Sequence, residues 1–495
     1  MAKFYRMFCA GLALATSLTV IAPVHGQDGA ATPPSKVERK NRAPVARNIL
    51  SVNLPKPVEA KLKNGLTVLI IEDHRAPFIS MQLHVSGAGG LFEPTAMTGL
   101  ASVTAQMLRE GTKTKSSIQL AEAIDRLGAS IGASSSFGSS DTVLSASGLR
   151  DNFDEWMAIA FEILLDPSFA NDELEKLKQR LRVQLREQRS NANFLLSERF
   201  NRAVYGDHPA ANVSVTAESL NRLTQDALRN WHTARYAPQN SILGIAGDVR
   251  AKDLIPKLEK RLAGWKKSDL KPALPRDPQA VSARKVFLVD RPNSVQTTVS
   301  LGNIAIDRRS ADYMPMVVMN DIIGGGASAR LFLNLREEKG YTYGVYSDFT
   351  ALRYPGPWRA GGNMRTEVTE GALVEFFNEI RRIRDEKVPL AELEESKRSI
   401  VASFALSLEQ PSRVLGFAIT RKLYDLPADY WDRYAARIAA VTVADVQRVA
   451  RKYLDPDKIQ IAAVGDAGKI KAILEKYGAV EVYDSNGTPL PPGRS

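Results

Sequence analysis

Five histidines and one cysteine stand in the 495 residues of this sequence. Metal binding or nucleophilic catalysis through imidazole or thiol must draw on that short supply. His74, His84, His208 and His232 are scattered, and no two stand at i and i+4. That spacing would put two imidazoles on one helix face around a zinc ion. Cys9 and His25 lie near the amino terminus, and a lone cysteine makes neither an internal disulfide nor a thiolate metal site. Ser102 could serve as a nucleophile only with a base beside it, and no histidine is near it in sequence. Gly324-Gly325-Gly326 is a glycine-rich turn without the Lys-Ser/Thr of a phosphate-binding loop, so nucleotide chemistry is not expected.

Lys3 and Arg6, the apolar run Met7–Ala22 and Val24-His25-Gly26 before Gln27 give the pattern of a secretory signal peptide spanning 1–26. The apolar run is short for a membrane span. Cleavage would remove Cys9, His25, Lys3 and Arg6 and lower the formal net charge from +11 to +9. A cysteine-free mature chain suits an oxidising compartment, so export to a bacterial periplasm with no stable membrane insertion is expected. Residues 27–50 read as a flexible leader and 485–495 as a similar tail, both rich in Pro and small or charged residues.

The folded part repeats itself once. Trp231–Val249 (WHTARYAPQNSILGIAGDV) matches Val449–Asp466 (VARKYLDPDKIQIAAVGD): a helix end, a Tyr, a Pro turn, an apolar strand and Gly-Asp, 218 residues apart. Gly65–Val85 and Val286–Leu301 are paired apolar strands around polar turns. Amphipathic helices are expected over 152–165 and 370–383, each followed by a Pro turn and a charged helix over 172–189 and 390–408. The period is too long for a solenoid. The expected fold is α+β, with two homologous domains at 51–270 and 282–484 joined by a linker at 271–281. Each would be an antiparallel sheet with helices on one face, in a clam-shell assembly.

The basic residues cluster in 36–47, 176–189 and 381–384, interleaved with acids or apolar residues at helical spacing. They read as solvated helix faces. Nucleic-acid binding is not expected, because no aromatic platform or known module accompanies the charge.

Gly99–Thr112 (GLASVTAQMLREGT) resembles the helix that carries the inverted zinc motif His-x-x-Glu-His in the pitrilysin/insulinase family of metallopeptidases. Gly99, Leu100, Ala101, Met107, Gly111 and Thr112 match the frame of that motif. Its chemistry is absent: Ser102 and Gln106 occupy the two His positions and Ala105 the Glu position. Ser and Gln are neutral oxygen donors and poor zinc ligands, and Ala105 cannot take a proton. Glu187 (in VQLREQ) best matches the third ligand of the family, but one carboxylate alone does not hold zinc. Arg330–Ser347 (RLFLNLREEKGYTYGVYS) resembles the substrate-binding element of the family, in which an Arg and a Tyr seven residues apart reach an active site in another domain or subunit. Arg336 and Tyr343 have that spacing. The resemblance implies that Arg336 binds a substrate carbonyl or carboxylate and that Tyr343 stabilises an oxyanion. Gly87–Glu93, with Gly89, Gly90 and Glu93, resembles an edge strand that pairs with an extended peptide. Bacterial two-chain members of the family divide zinc and the Arg/Tyr pair between subunits. The implied role is a zinc-less subunit of a periplasmic heterodimer: no cofactor in this chain, zinc in the partner, and peptides as substrates. The alternatives are a catalytically dead scaffold or peptide-binding protein of the same fold and, more remotely, a hydrolase of different chemistry.

Overall fold

A computed structural model describes residue 52 and residues 54–270 and 276–491. The expected signal peptide and leader, and the first five residues of the expected linker, lie outside the described residues. The described residues form one compact unit.

Within it stand two six-stranded sheets. The first contains β1 (Val58–Lys61), β2 (Thr67–Glu72), β3 (Phe78–Ser86), β4 (Ser130–Ser135), β5 (Asp141–Leu149) and β6 (Ser241–Gly247) in the order β1-β2-β6-β3-β5-β4. The second contains β7 (Val286–Asp290), β8 (Gln296–Ile306), β9 (Thr342–Ala351), β10 (Pro355–Arg365), β11 (Gln460–Gly465) and β12 (Val480–Tyr483) in the order β12-β7-β11-β8-β10-β9. The order shared by β2-β6-β3-β5-β4 and β7-β11-β8-β10-β9 is the sequence repeat made visible, with Gly247 and Gly465 closing equivalent strands β6 and β11; the outer strands β1 and β12 do not correspond. The sheets are mixed rather than wholly antiparallel: β2 runs parallel to β6, and β7 runs parallel to both β11 and β12. The late strands β6 and β11 return after a long helical excursion and enter beside β2 and β7, a route that permits parallel pairing.

Local patterning accounts for the elements. β3 alternates strictly, burying Ile79, Met81, Leu83 and Val85. β11 is buried at every position, which requires cover on both faces. One face carries the helices of the same half. The other is covered by a helix from the opposite half. The helix Ala192–Tyr205 brings Leu195, Leu196, Phe200 and Val204 onto Val289, Ala462 and Val464 of the second sheet. The helix Pro411–Leu423 reciprocates, setting Val414, Leu415, Ala418 and Ile419 on Leu69, Ile71 and Ala246 of the first. These two arm helices therefore correct the expectation of helices on one face only.

Close approach of the arms calls for glycine beneath them. A Cβ on Gly302 of β8 would stand 2.1 Å from the Trp358 carbonyl oxygen and 2.9 Å from Phe200 Cζ. Gly302→Ala is expected to destabilise the fold by about 1–3 kcal/mol, the usual cost of overpacking, and urea unfolding measures it. The halves also meet where Tyr354 Oη donates to Gly138 O at 2.7 Å.

Residues 484–491 are not the loose tail expected from composition. Leu490 N donates to Val482 O at 2.8 Å, and the Asp484 carboxylate accepts from the backbone N–H of Asn486 and Thr488. Gly487, at φ 83°, supplies the left-handed residue that this turn needs.

Candidate functional site

The helix Leu100–Met107 carries the zinc-motif positions. Two features of its frame are structural needs. Gly99 precedes the helix at φ 96°, and a Cβ there would stand 2.2 Å from Val215 Cγ1; Gly111 follows it at φ 110°. Glycine is demanded at both, whatever the helix does chemically.

Its interior does not fit a metal. Gln106 Nε2 donates to Ser102 Oγ at 3.2 Å, so the two side chains at the former ligand spacing satisfy one another. Ala105 is fully buried. Glu187 is exposed in the last turn of the helix Asn171–Gln188, and its carboxylate forms no hydrogen bond or ion pair with Ser102 or Gln106. Among the described residues no three of His, Cys, Asp and Glu converge to hold a metal ion. A neutral hydroxyl and amide bonded to each other are a poor cradle for zinc.

Three of the histidines are engaged by neighbouring groups of the fold. His208 Nδ1 accepts from Ala210 N, and its Nε2 lies 2.9 Å from Arg276 O. His232 Nε2 lies 2.8 Å from Leu164 O, and burial pushes its pKa down to about 4. His74 pairs with Asp248 at the surface.

Gly89, Gly90 and Glu93 do not lie on an edge strand. β3 ends at Ser86, and the chain makes a 3-10 turn over Gly90–Phe92. A Cβ on Gly89 would stand 2.2 Å from Ser139 O, so this glycine is set by backbone packing. Glu93 caps the motif helix: its carboxylate accepts from Gly99 N at 2.8 Å and Ala101 N at 2.6 Å. Burial outweighs these bonds and raises its pKa from an ordinary 4.5 to about 7. The folded chain then holds a proton that the unfolded chain releases between these values. Its contribution to stability is complete below about pH 4.5 and is lost as pH rises through about 7. Glu93→Gln should flatten that part of the stability profile, read as the wild-type-minus-variant difference in urea unfolding at pH 5 and pH 8. The edge strand beside the motif helix is instead β4.

Arg336 and Tyr343, seven residues apart, do come together. Arg336 Cζ lies 4.9 Å from the Tyr343 ring centroid and 4.7 Å from that of Phe332. Tyr343 is 88% exposed, and Arg336 is half-buried. Their placement is built in. Arg330, buried, forms a two-pronged ion pair with Glu392 at 2.7 and 2.6 Å. Asn334 donates to Glu375 and Glu379, both at 2.9 Å. After Arg330 and around Asn334 the chain widens into a π-helical turn, Leu333–Glu338, a form common at functional sites. Arg336 projects from that turn.

Tyr343 lies on edge strand β9, at a bulge. Val345 pairs with Gly362 and Thr342 with Met364, so Tyr343 and Gly344 together oppose Asn363. Thr342 Oγ1 locks the bulge by donating to Asn363 O at 2.5 Å and accepting from Gly344 N at 3.1 Å. The alternation slips here, Val345 turns inward, and Tyr343 is aimed at solvent. Tyr346, half-exposed, extends the aromatic surface against Phe332, with ring centroids 5.6 Å apart. Neither the bulge nor the role of Tyr346 was read from sequence, although Thr-Tyr-Gly-Val at the start of a strand is a usable bulge signal.

Comparison with known proteins identifies the family of the chain. The sequence model described as "Insulinase (Peptidase family M16)" matches residues 67–217, and that described as "Peptidase M16 inactive domain" matches residues 222–400. The chain belongs to the insulinase family, M16. The M16 relatives include an uncharacterized zinc protease, YmxG, of Bacillus subtilis, 22% identical over 82% of this chain and 98% of that protein. A non-peptidase homolog YmxG of Helicobacter pylori is also 22% identical, over 82% of this chain and 93% of that protein. Among solved structures, a peptidase M16 inactive domain from Pseudomonas fluorescens is 27% identical, with TM-score 0.75 over 83% of this chain and 98% of that one. A Helicobacter pylori protease matches in fold with TM-score 0.77 at 20% identity, over 83% of this chain and all of that one. This M16 chain lacks the ligands and base of the zinc motif, with Ser102, Ala105 and Gln106 in their places. No helix among the described residues is long and apolar enough to cross a membrane.

Proposed function

We propose that this chain is the zinc-less subunit of an exported, heterodimeric M16 peptidase. It would work in the periplasm after removal of residues 1–26. The partner, a related chain with an intact zinc motif, supplies the metal and the general base. This chain lends Arg336 and Tyr343 to the partner's site. The guanidinium binds a substrate carbonyl or carboxylate, and the phenol hydroxyl donates to the tetrahedral oxyanion. Substrates are unfolded peptides held by strand addition, with the free edge of β4 as the docking strand on this chain.

One observation carries the reading. The Arg336–Tyr343 pair is pinned by the ion pair of buried Arg330, the Asn334 hydrogen bonds and a locked bulge yet presented to solvent, while the motif helix of the same chain has no chemistry to pair with it. A residue pair kept only for packing would be buried. Mixing purified chain with its zinc-motif relative should give a one-to-one complex by sedimentation. Two separate species at micromolar concentration would count against the pairing.

A further inference from the structure

We propose that a cavity of about 610 Å³ in the second half binds a small ligand through a carboxylate or phosphate group, with Arg308 as the recognising residue. The cavity lies between the loop leaving β8 and the segment that follows the helix Pro411–Leu423, and neither Arg336 nor Tyr343 lines it.

Arg308 is only 6% exposed. Its Cζ stands 3.8 Å from the Tyr313 ring centroid and 5.4 Å from those of Tyr430 and Trp431. Stacking on aromatic faces offsets part of the cost of burying a cation. It leaves the N–H groups in the guanidinium plane without acceptors. Among the described residues nothing accepts a hydrogen bond from this side chain, and Nη1 is wholly enclosed without a partner. Buried donors are rarely left so, least of all charged ones. The backbone holds the residue in place, Arg308 N donating to Leu352 O at 2.8 Å.

The surrounding charges favour an anion. Arg309 and Arg437 also line the cavity, and among the described residues neither pairs with a carboxylate. Arg437 stands 5.0 Å from the Tyr430 ring centroid. The nearby acids are mostly committed. Asp312 takes Arg448 at 2.5 Å, Lys452 at 2.8 Å and Tyr453 at 2.7 Å; Asp445 takes Thr442 and Arg448. Only Asp425 on the lining remains uncommitted against three guanidinium groups. A planar guanidinium fork matches the paired oxygens of carboxylate or phosphate, and the cavity size is that of a small-ligand site.

The test is calorimetric titration of the full chain at constant ionic strength with inorganic phosphate, N-acetylalanine and N-acetylalanine amide. Saturable binding of phosphate, of N-acetylalanine or of both is expected, with the amide inert; whichever binds identifies the source of the oxyanion. Arg308→Met, which keeps the stacked shape, should abolish binding. Arg437→Gln, on the more open wall, should weaken it about tenfold, and it carries the test if the first variant does not fold. No saturation by either anion at millimolar concentration, or unchanged affinity in both variants, would overturn the proposal.

Discussion

Tyr343→Phe lowers turnover of the reconstituted pair by about 10²–10³-fold, equivalent to about 2.7–4 kcal/mol of lost transition-state stabilisation. The substitution removes one hydroxyl and nothing else. The ring is 88% exposed, so the fold does not depend on its oxygen. The face that meets Arg336 is retained, since the contact of 4.9 Å is with the ring and not the hydroxyl. The loss should fall on kcat with KM little changed, because an oxyanion exists only after attack on the carbonyl. Arg336→Lys should instead raise KM, since an ammonium cannot reproduce a planar two-pronged contact. A Tyr343→Phe pair with unchanged kcat would remove this hydroxyl from the mechanism.

Phe200→Ala destabilises the chain by about 3–5 kcal/mol, the cost of emptying a large buried aromatic site. Phe200 is fully buried at the centre of the arm helix Ala192–Tyr205, on the cluster with Val289, Ala462 and Val464. The site collapses poorly, because its floor is sheet backbone at Gly302. The variant therefore tests the reciprocal arms as well as the residue. If the arms bind the halves into one unit, the whole chain should unfold at lower urea in a single transition. A loss below about 1 kcal/mol would mean that the arm is dispensable to the second sheet.

Much of this was legible in sequence because it is local. Alternation over Phe78–Ser86 and the 218-residue echo of Gly247-Asp248 in Gly465-Asp466 point directly to the duplicated sheets. Ser102, Ala105 and Gln106 speak for themselves once aligned to a frame. What was not legible depends on long-range partners. An apolar stripe on the helix Ala192–Tyr205 has the same pattern whether it covers its own sheet or the other one. Parallel pairing of β2 with β6 is set by the path of the chain between them. Glu93 reads as part of a strand until the turn at Gly90–Phe92 swings it beneath the motif helix. The aromatic setting of Arg308 is assembled from Tyr313, Tyr430 and Trp431, the last two more than a hundred residues away. In the second half, the Arg336–Tyr343 spacing marked the pair, but the π-turn and the bulge that aim it arise from contacts with Glu392, Glu375 and Asn363.

The decisive measurement is peptide hydrolysis by the purified chain alone and mixed with its zinc-motif relative, with zinc content determined for each. The zinc-less-subunit reading requires a metal-free, inactive chain alone and activity in the mixture well above that of the relative by itself. Bound zinc and hydrolysis by this chain alone would contradict it, and a mixture no more active than the relative would leave the chain a scaffold.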